Sequence, residues 1–188
     1  MTINNFFSLL ICFCTSLSIG AQGIICHTVN DEGEKIEGYF VKQTPKELRL
    51  RDFNTQTTQV LDLAKINSYT LSEANKPDRT FVKVILNQGK PQFLERLAAG
   101  KLHLYMDRRT VSIDKPTPSG KLIKSVKNST VFFLSKGTTE LEEIEEVAWA
   151  AIISAKLHDC PTVVAKLNKP GYQYKDMGKI IQEYNNCQ

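Results

Sequence analysis

The feature that most constrains the fold is a change in hydrophobic periodicity near residue 140. Before it, short apolar or alternating segments are separated by turn residues, which is typical of β-strands joined by hairpins. After it, apolar residues recur at the helical spacing i, i+3, i+4, i+7, i+8 and i+11: Ile144, Val147, Ala148, Ala151, Ile152 and Ala155. The chain is therefore predicted to be α+β, with an antiparallel β-rich N-terminal body of about eight short strands and a C-terminal cluster of about three helices.

Three helices are predicted in the C-terminal part. The first contains the apolar face that starts at Ile144, and its N-terminus carries a group of glutamates that the helix dipole favours there: Glu142, Glu143, Glu145 and Glu146. Trp149 and Ile152 are expected to be largely buried on this helix. The second helix, CPTVVAKL, has Pro161 in its first turn. The third is indicated by an apolar stripe: Met177, Ile180, Ile181 and Tyr184.

Turn residues divide the β-rich part. SEANKPD is the clearest break, DKPTPSG is a loop by composition, and KLIKSV and TVFFLSKG are predicted to be hairpin partners around KNS. The predicted organisation is a signal peptide at 1–21, a hairpin-rich part at 22–75, a second β region at 76–143 and helices at 144–188. Residues 22–188 are expected to form one compact unit.

The N-terminus predicts export. FFSLLICFCTSLSIG is apolar and uncharged, and small residues follow it, which is the order of a secretory signal and its cleavage site. A lipoprotein signal using Cys12 or Cys14 is the alternative, although LLIC lacks the small residue expected before a lipidated cysteine. The predicted location is secreted or periplasmic, in the cell envelope, and no transmembrane span is expected in the mature chain.

The cysteines of the predicted mature chain are Cys26, Cys160 and Cys187. Cys160 opens the second predicted helix and Cys187 follows the third, so an antiparallel pair of helices brings both to the same end. In an oxidising compartment such thiols pair, and this spacing predicts a disulfide that closes a loop of about 27 residues. Cys26 is then a buried free thiol or a link to another chain. The alternative is that Cys160 is a nucleophile, activated at a helix N-terminus.

Sequence motifs of catalysis and ligand binding are missing from the chain. The three histidines are isolated in separate elements, and no G-x-S-x-G, phosphate-binding loop, dinucleotide fingerprint or H-E-x-x-H motif occurs. No catalytic residue, metal site or cofactor is therefore predicted. The glutamates at 140–146 lack the loop of a calcium site and are interpreted as a solvated helix start.

Basic residues alternate with apolar ones in LRLR, MDRR and KLIKSVK. On a strand, LRLR places Arg49 and Arg51 on the face opposite Leu48 and Leu50. The simplest interpretation is a solvated sheet face, and the alternative is a surface that meets acidic glycans or an anionic outer membrane. The formal net charge of +4 is mild, so nucleic acid is not an expected partner.

Several short motifs together resemble a family of secreted proteins of unknown activity from Bacteroidota-type bacteria. They are FLERLAAGKLHLY with its glycine before Leu-Tyr, VFFLSKG, LHDCPTVVAK and the C-terminal IIQEYNNC, after a hairpin opening in TVNDEGEKIEGYF. The resemblance implies a periplasmic or secreted location and a shared α+β design, and it supplies no catalytic residues.

The opening hairpin followed by LRLRDF is also similar to the strand–turn–strand start of Sm-like RNA-binding barrels. The preferred interpretation of that stretch is a plain bent hairpin. The function expected from the sequence is a non-enzymatic binding or structural module of the envelope, with a thiol-dependent enzyme or redox sensor using Cys160 as the alternative and an Sm-like nucleic-acid-binding barrel as the third.

Overall fold

The computed structural model describes residues 23–86, 89, 91–116, 120–137 and 140–187. The predicted signal peptide, with Cys12 and Cys14, lies outside this range. The described chain is α+β and mostly β, as predicted, with helices confined to its C-terminal part. Its strands are β1 (Ile25–Asn30), β2 (Lys35–Gln43), β3 (Glu47–Arg51), β4 (Thr58–Asp62), β5 (Ile66–Ser72), β6 (Arg79–Ile85), β7 (Pro91–Ala98), β8 (His103–Pro116), β9 (Leu122–Ser135) and β10 (Glu142–Ile144). Its helices are α1 (Trp149–Lys156), α2 (Pro161–Val164) and α3 (Met177–Asn185).

All ten strands belong to one antiparallel sheet with the order β10-β9-β8-β7-β6-β5-β1-β2-β3-β4. Neighbours in the sheet are consecutive in the chain except for β1, which pairs with β5 as well as with β2. The SEANKPD segment is the turn between β5 and β6, and these strands pair, for example through Ser68 and Val82. The sheet therefore continues across the predicted boundary at residues 75 and 76.

The N-terminal five strands enclose a core of their own. In β3, Leu48 and Leu50 are buried while Arg49 and Arg51 lie on the other face, as the alternation predicts. Buried side chains from all five strands and from the short 3-10 turn after β4 form this cluster: Cys26, Ile36, Leu48, Leu50, Leu61, Leu63, Ile66, Tyr69 and Leu71. None of the three α-helices contributes a buried residue to it, and Phe81 of β6 and Phe93 of β7 pack against it as partly buried residues.

The C-terminal strands carry the helices on one face. Phe132 and Leu134 in β9 point into the core that the helices share, while Phe133 between them packs on the opposite face with Tyr105 and Val84. This alternation follows from the two-residue period of a strand. The helices thus close the core against β7 to β10 and leave the N-terminal strands to their own cluster.

The prediction for the first helix is wrong in its start and in its face. Glu142–Ile144 forms β10, so the apolar period that begins at Ile144 runs through a strand and a turn before it reaches α1. Val147 is 99% exposed, whereas Trp149, Ile153 and Leu157 are buried at the spacing i, i+4 and i+8. Trp149 is buried as expected, but Ile152 is only half-buried.

The predicted hairpin around KNS is also wrong. Leu122–Ser135 is one continuous strand that pairs with the whole of β8, from His103 opposite Ser135 to Pro116 opposite Leu122. Of the predicted loop DKPTPSG, Asp114–Pro116 belong to β8 instead, and residues 117–119 lie outside the described residues. Asn and Ser at positions 128 and 129 are tolerated in the middle of β9 because that part of the strand is half-exposed or exposed.

Candidate binding surface on a β-ribbon

The predicted disulfide partners meet at the end of the helical layer. Cys160 lies just before α2, Cys187 follows α3, their Cα atoms are 6.3 Å apart and their sulfur atoms are at the bonding distance of 2.04 Å. Asn185 fixes the end of α3, because its side-chain amide both accepts from the backbone N–H and donates to the carbonyl of Leu102, each at 2.9 Å. The geometry is compatible with the predicted disulfide.

Cys26 is a free cysteine, buried in the core of the N-terminal strands. Desolvation by burial raises the pKa of its thiol to about 12. It therefore stays protonated at neutral pH, and its burial leaves no surface for a link to another chain. The structure agrees with the interpretation of Cys26 as a buried free thiol.

The arrangement of a thiol-dependent enzyme does not form around Cys160. Cys160 is 1% exposed. The Nδ1 atom of His158 lies 3.0 Å from the Ala155 carbonyl oxygen rather than beside the Cys160 sulfur. A catalytic cysteine needs an accessible thiolate and a base within hydrogen-bonding distance. Within the described residues, no group of three or more His, Cys, Asp or Glu side chains is placed to bind a metal ion.

A cleft of about 930 Å³ lies beside the disulfide pair. Both basic and acidic side chains line it. The basic residues are Lys101, Lys136 and Lys156, with His158, and the acidic ones are Glu140, Glu142, Glu143 and Asp159. Several of these groups already satisfy each other, since Lys156 pairs with Glu142 at 2.6 Å and the Tyr184 hydroxyl donates to Asp159 at 3.2 Å. With His158 taken as neutral, the lining has 4 − 3 = one more acidic than basic group, which is too small a surplus to select a class of ligand.

The most distinctive surface is the outer part of the β8–β9 hairpin, residues 107–116 and 120–131, called here the β-ribbon. The pairing of β7 with β8 ends at Met106, and the pairing of β10 with β9 ends at Phe132. Beyond these points the two strands pair only with each other in the described sheet, through ten residue pairs from Asp107–Val131 to Pro116–Leu122. At about 3.3 Å per residue, the β-ribbon continues for roughly 30 Å past its last sheet neighbours.

Ion pairs hold the base of the β-ribbon. Glu95 in β7 is 8% exposed and accepts two hydrogen bonds from the Arg79 guanidinium, at 2.9 and 2.7 Å, while Arg108 approaches it at 3.9 Å. Arg109 pairs with Asp107 at 2.7 Å and with Glu143 in β10 at 3.7 Å. Of the arginines of MDRR, Arg109 is thus paired with two carboxylates, while the side chain of Arg108 is 67% exposed.

The outer half of the β-ribbon is solvated on both faces. Ser112 and Asp114 on β8, and Leu122, Ile123, Lys124, Val126 and Lys127 on β9, are all exposed. Consecutive residues of a strand point to opposite faces, so this set includes both faces of the hairpin. The body of the protein does not cover either one.

The β-ribbon carries a charge equal to that of the whole chain. Residues 107–131 contain six Lys and Arg and two Asp, a net charge of 6 − 2 = +4, and the full chain has a formal net charge of +4. The rest of the chain is therefore balanced, with 24 − 6 = 18 basic and 20 − 2 = 18 acidic residues. Neither Lys124 nor Lys127 forms an ion pair with a described residue.

Sequence reasoning noticed the basic stretches but did not separate them. In LRLR, Arg49 donates to Glu47 at 2.9 Å and Arg51 lies over the Tyr39 ring, so this stretch is a locally paired sheet face. KLIKSVK differs because it lies on the outer half of a hairpin. The wrong prediction of a hairpin around KNS prevented this assignment. The sequence signal for the long hairpin is that segments of alternating apolar and polar residues, similar in length, flank DKPTPSG on both sides.

Comparison with known proteins finds no matching family model, no matching curated protein and no matching solved structure. The resemblance to secreted Bacteroidota-type proteins and the similarity to Sm-like barrels thus stay predictions. No helix in the described part of the chain has the length and apolar character needed to cross a bilayer.

Proposed function

We propose that this chain is a non-enzymatic binding module of the cell envelope, and that the β-ribbon is its binding element. The observation that carries the proposal is the concentration of the whole net charge of +4 in residues 107–131, on a hairpin whose outer half is exposed. The predicted N-terminal export signal and the cysteine pair at disulfide distance support a location outside the cytoplasm.

The charge distribution favours an anionic ligand. A positively charged hairpin on an otherwise neutral protein attracts negatively charged surfaces. The position of the charge also orients the protein, so that the hairpin faces the ligand. Lys124 and Lys127 are the residues best placed for such contacts, because both are exposed and neither is within ion-pair distance of a described carboxylate, even though Asp114 stands opposite Lys124 in the strand register. At the base of the hairpin, Arg109 is paired with Asp107 and Glu143, and Arg108 approaches Glu95 at 3.9 Å.

The two other functions gain less support. A thiol-dependent activity of Cys160 requires a free and accessible sulfur, whereas this one is buried and lies at bonding distance from Cys187. An Sm-like nucleic-acid surface would have to use the N-terminal strands, where Arg49 is already paired with Glu47.

Binding to an immobilised soluble polyanion, such as dextran sulfate, tests the proposal. The full chain, recovered from the envelope fraction of its host, is eluted with a salt gradient and compared with the variant Lys124→Gln/Lys127→Gln. The matched control is Lys35→Gln/Lys42→Gln, which removes the same charge from exposed positions of β2. Thermal unfolding of each variant checks that the fold is retained.

The β-ribbon variant should elute at clearly lower salt than the control, because the position of the lysines matters and not the net charge alone. Equal elution of the two double variants, or failure of the wild-type chain to bind at low salt, would contradict the proposal.

A further inference from the structure

We infer that two copies of this chain pair through the outer edge of β8, antiparallel and centred on Val111, so that their β-ribbons form one four-stranded sheet. Beyond Met106, β8 pairs only with β9 in the described sheet, which leaves its other edge open along residues 107–116. A two-stranded hairpin that is solvated on both faces is marginally stable alone, and an open strand edge is a template for another strand. A second β8 supplies that strand, and the pairing needs no anionic ligand.

Symmetry limits the register of such a pair. Two copies that meet through the same edge are related by a two-fold axis, which for antiparallel strands of one sheet is perpendicular to the sheet. Residues that stand opposite each other point to the same face, whereas consecutive residues point to opposite faces. One residue of β8 therefore stands opposite its own copy, and each choice of that residue is a separate register.

Charge complementarity selects the register centred on Val111. It places Arg108 of one copy opposite Asp114 of the other. It also places Asp107 opposite Lys115, and the symmetry repeats both pairs. Side chains directly opposite each other have Cβ atoms about 4.5–5.5 Å apart, and opposite charges at such positions stabilise an antiparallel pair of strands.

The neighbouring registers lack this complementarity. A centre at Ser112 places Arg109 opposite Lys115, and like charges directly opposite each other are destabilising. A centre at Thr110 places no charged residue of 107–115 opposite another charged residue. The charges along β8 are thus self-complementary in the register that is centred on Val111.

The other strand edges do not share this pattern. Residues 122–131 of β9 include two lysines and no acidic residue. In β4, at one end of the described sheet, the charged residue is Asp62, whose side chain accepts a hydrogen bond from the Ala64 backbone N–H at 2.9 Å. β10, at the opposite end, contains Glu142 and Glu143 and no basic residue. The edge of β8 is therefore the one that favours a second copy.

Arg108 and Asp114 are exposed and only weakly engaged within one copy. The side chain of Arg108 is 67% exposed and approaches Glu95 at 3.9 Å, which is longer than a charge-assisted hydrogen bond. Asp114 is exposed and stands opposite Lys124, but it takes part in none of the ion pairs among the described residues. An even number of positions separates Arg108 from Asp114, so both lie on the same face of β8.

The positive charge of the β-ribbon lies mostly on β9, away from the paired edge. Residues 107–116 contain three basic and two acidic residues, a net charge of 3 − 2 = +1, whereas residues 120–131 contain three lysines and no acidic residue. In the four-stranded sheet the two β9 strands are three strand spacings of about 4.8 Å apart, or ~14 Å. This separation exceeds the screening length of about 8 Å at physiological salt, so repulsion between the lysines of the two copies is weak.

Sedimentation equilibrium of the full chain tests the inference. The dissociation constant of the dimer is measured for the wild type and for two charge reversals, Asp114→Arg and Arg108→Glu. The control is Glu32→Arg, which makes the same change in net charge as Asp114→Arg at an exposed position between β1 and β2. Thermal unfolding of each variant checks that the fold is retained.

The wild-type chain and Glu32→Arg should dimerise with similar dissociation constants. Asp114→Arg and Arg108→Glu should each raise the dissociation constant by ~10-fold or more, because each replaces two pairs of opposite charges by two pairs of like charges. An equimolar mixture of these two variants should associate again, since a copy of each places opposite charges at both positions. Neither a change in net charge nor a loss of stability is reversed by mixing.

Cross-linking tests the register itself. Val111→Cys places a thiol opposite its own copy, where the Cα atoms of an antiparallel pair are ~4.5–5.5 Å apart, within the range of a disulfide. The control is Thr110→Cys, whose copy is displaced along the strand by two residues, or about 6.6 Å, and is therefore out of disulfide range. After mild oxidation, Val111→Cys should run as a dimer on a non-reducing gel and Thr110→Cys as a monomer.

A wild-type chain that stays monomeric up to the limit of its solubility overturns the inference. A mixture of Asp114→Arg and Arg108→Glu that associates no better than either variant alone also overturns it, as does equal cross-linking of Val111→Cys and Thr110→Cys. If Arg108→Glu loses its fold, Asp114→Arg and the cross-linking decide. These measurements contain no polyanion, so their result is independent of the proposed function.

Discussion

Ile153 lies on the buried face of α1, and its truncation tests the architecture of the helical layer. Ile153 is fully buried, and its cluster includes Trp149, Leu157 and Met177. Ile153→Ala removes three carbon atoms, which costs ~2.4 kcal/mol at about 0.8 kcal/mol for each. A residual cavity of roughly 50 Å³ adds ~1.2 kcal/mol, so the free energy of unfolding should fall by ~3.5 kcal/mol.

Urea unfolding measures this loss if the slope m is unchanged between the proteins. Val147→Ala is the comparison, because Val147 is 99% exposed and its truncation should change the free energy of unfolding by less than ~0.5 kcal/mol. Ile152→Ala, at a half-buried site, should fall between the two. Equal losses for Val147 and Ile153, or a loss below ~1 kcal/mol for Ile153, would refute the assignment of the buried face.

Two further predictions concern the C-terminal region. Cys160→Ser and Cys187→Ser should each lower the free energy of unfolding by ~3.5 kcal/mol, the chain-entropy value for a loop of about 27 residues, and the double variant should lose little more in the same urea assay; additive losses would argue against a shared bond. Hydrogen bonding from the Tyr172 hydroxyl and from Lys166 lowers the pKa of Glu183, so its stabilisation is present above the unfolded-state pKa of ~4.3 and is lost as the pH falls through the lower folded-state pKa. The stability difference between wild type and Glu183→Gln should therefore be largest near neutral pH and should disappear in acid, below the folded-state pKa of Glu183. A difference independent of pH would contradict this.

The sequence predicts the fold class and fails at the junctions between elements. Alternation in LRLR identifies the buried and exposed faces of β3, because that strand has one solvated face. The apolar period from Ile144 suggests one helix, yet its first residue belongs to β10. When a short strand, a turn and a helix follow one another, their apolar residues can together imitate the period of one helix. The pairing of Ile144 with Phe132 assigns Ile144 to a strand, and it is a long-range contact.

The candidate site is predictable in part. The sequence predicts the meeting of Cys160 and Cys187, because the order and length of two helices place their ends together. The β-ribbon is harder to predict from the sequence. Lys124 and Lys127 are recognised as basic residues on strands, but their distance from other sheet strands depends on where β7 and β10 stop pairing. Glu95 gave no signal at all, since its partner Arg79 lies on a neighbouring strand.

The adjacency of β1 and β5 dictates an order of assembly. The Thr28 hydroxyl donates to the Ser68 carbonyl oxygen, 40 residues away, whereas every other pair of neighbouring strands in the described sheet is consecutive in the chain. β1 must therefore wait through the synthesis of three strands before its second neighbour exists, and closing that long loop costs more entropy than forming any hairpin. Strands β6 to β10 each pair with the strand that precedes them in the chain. Cys187 follows all ten described strands in the chain, so a bond to Cys160 cannot form until every one of them has been synthesised.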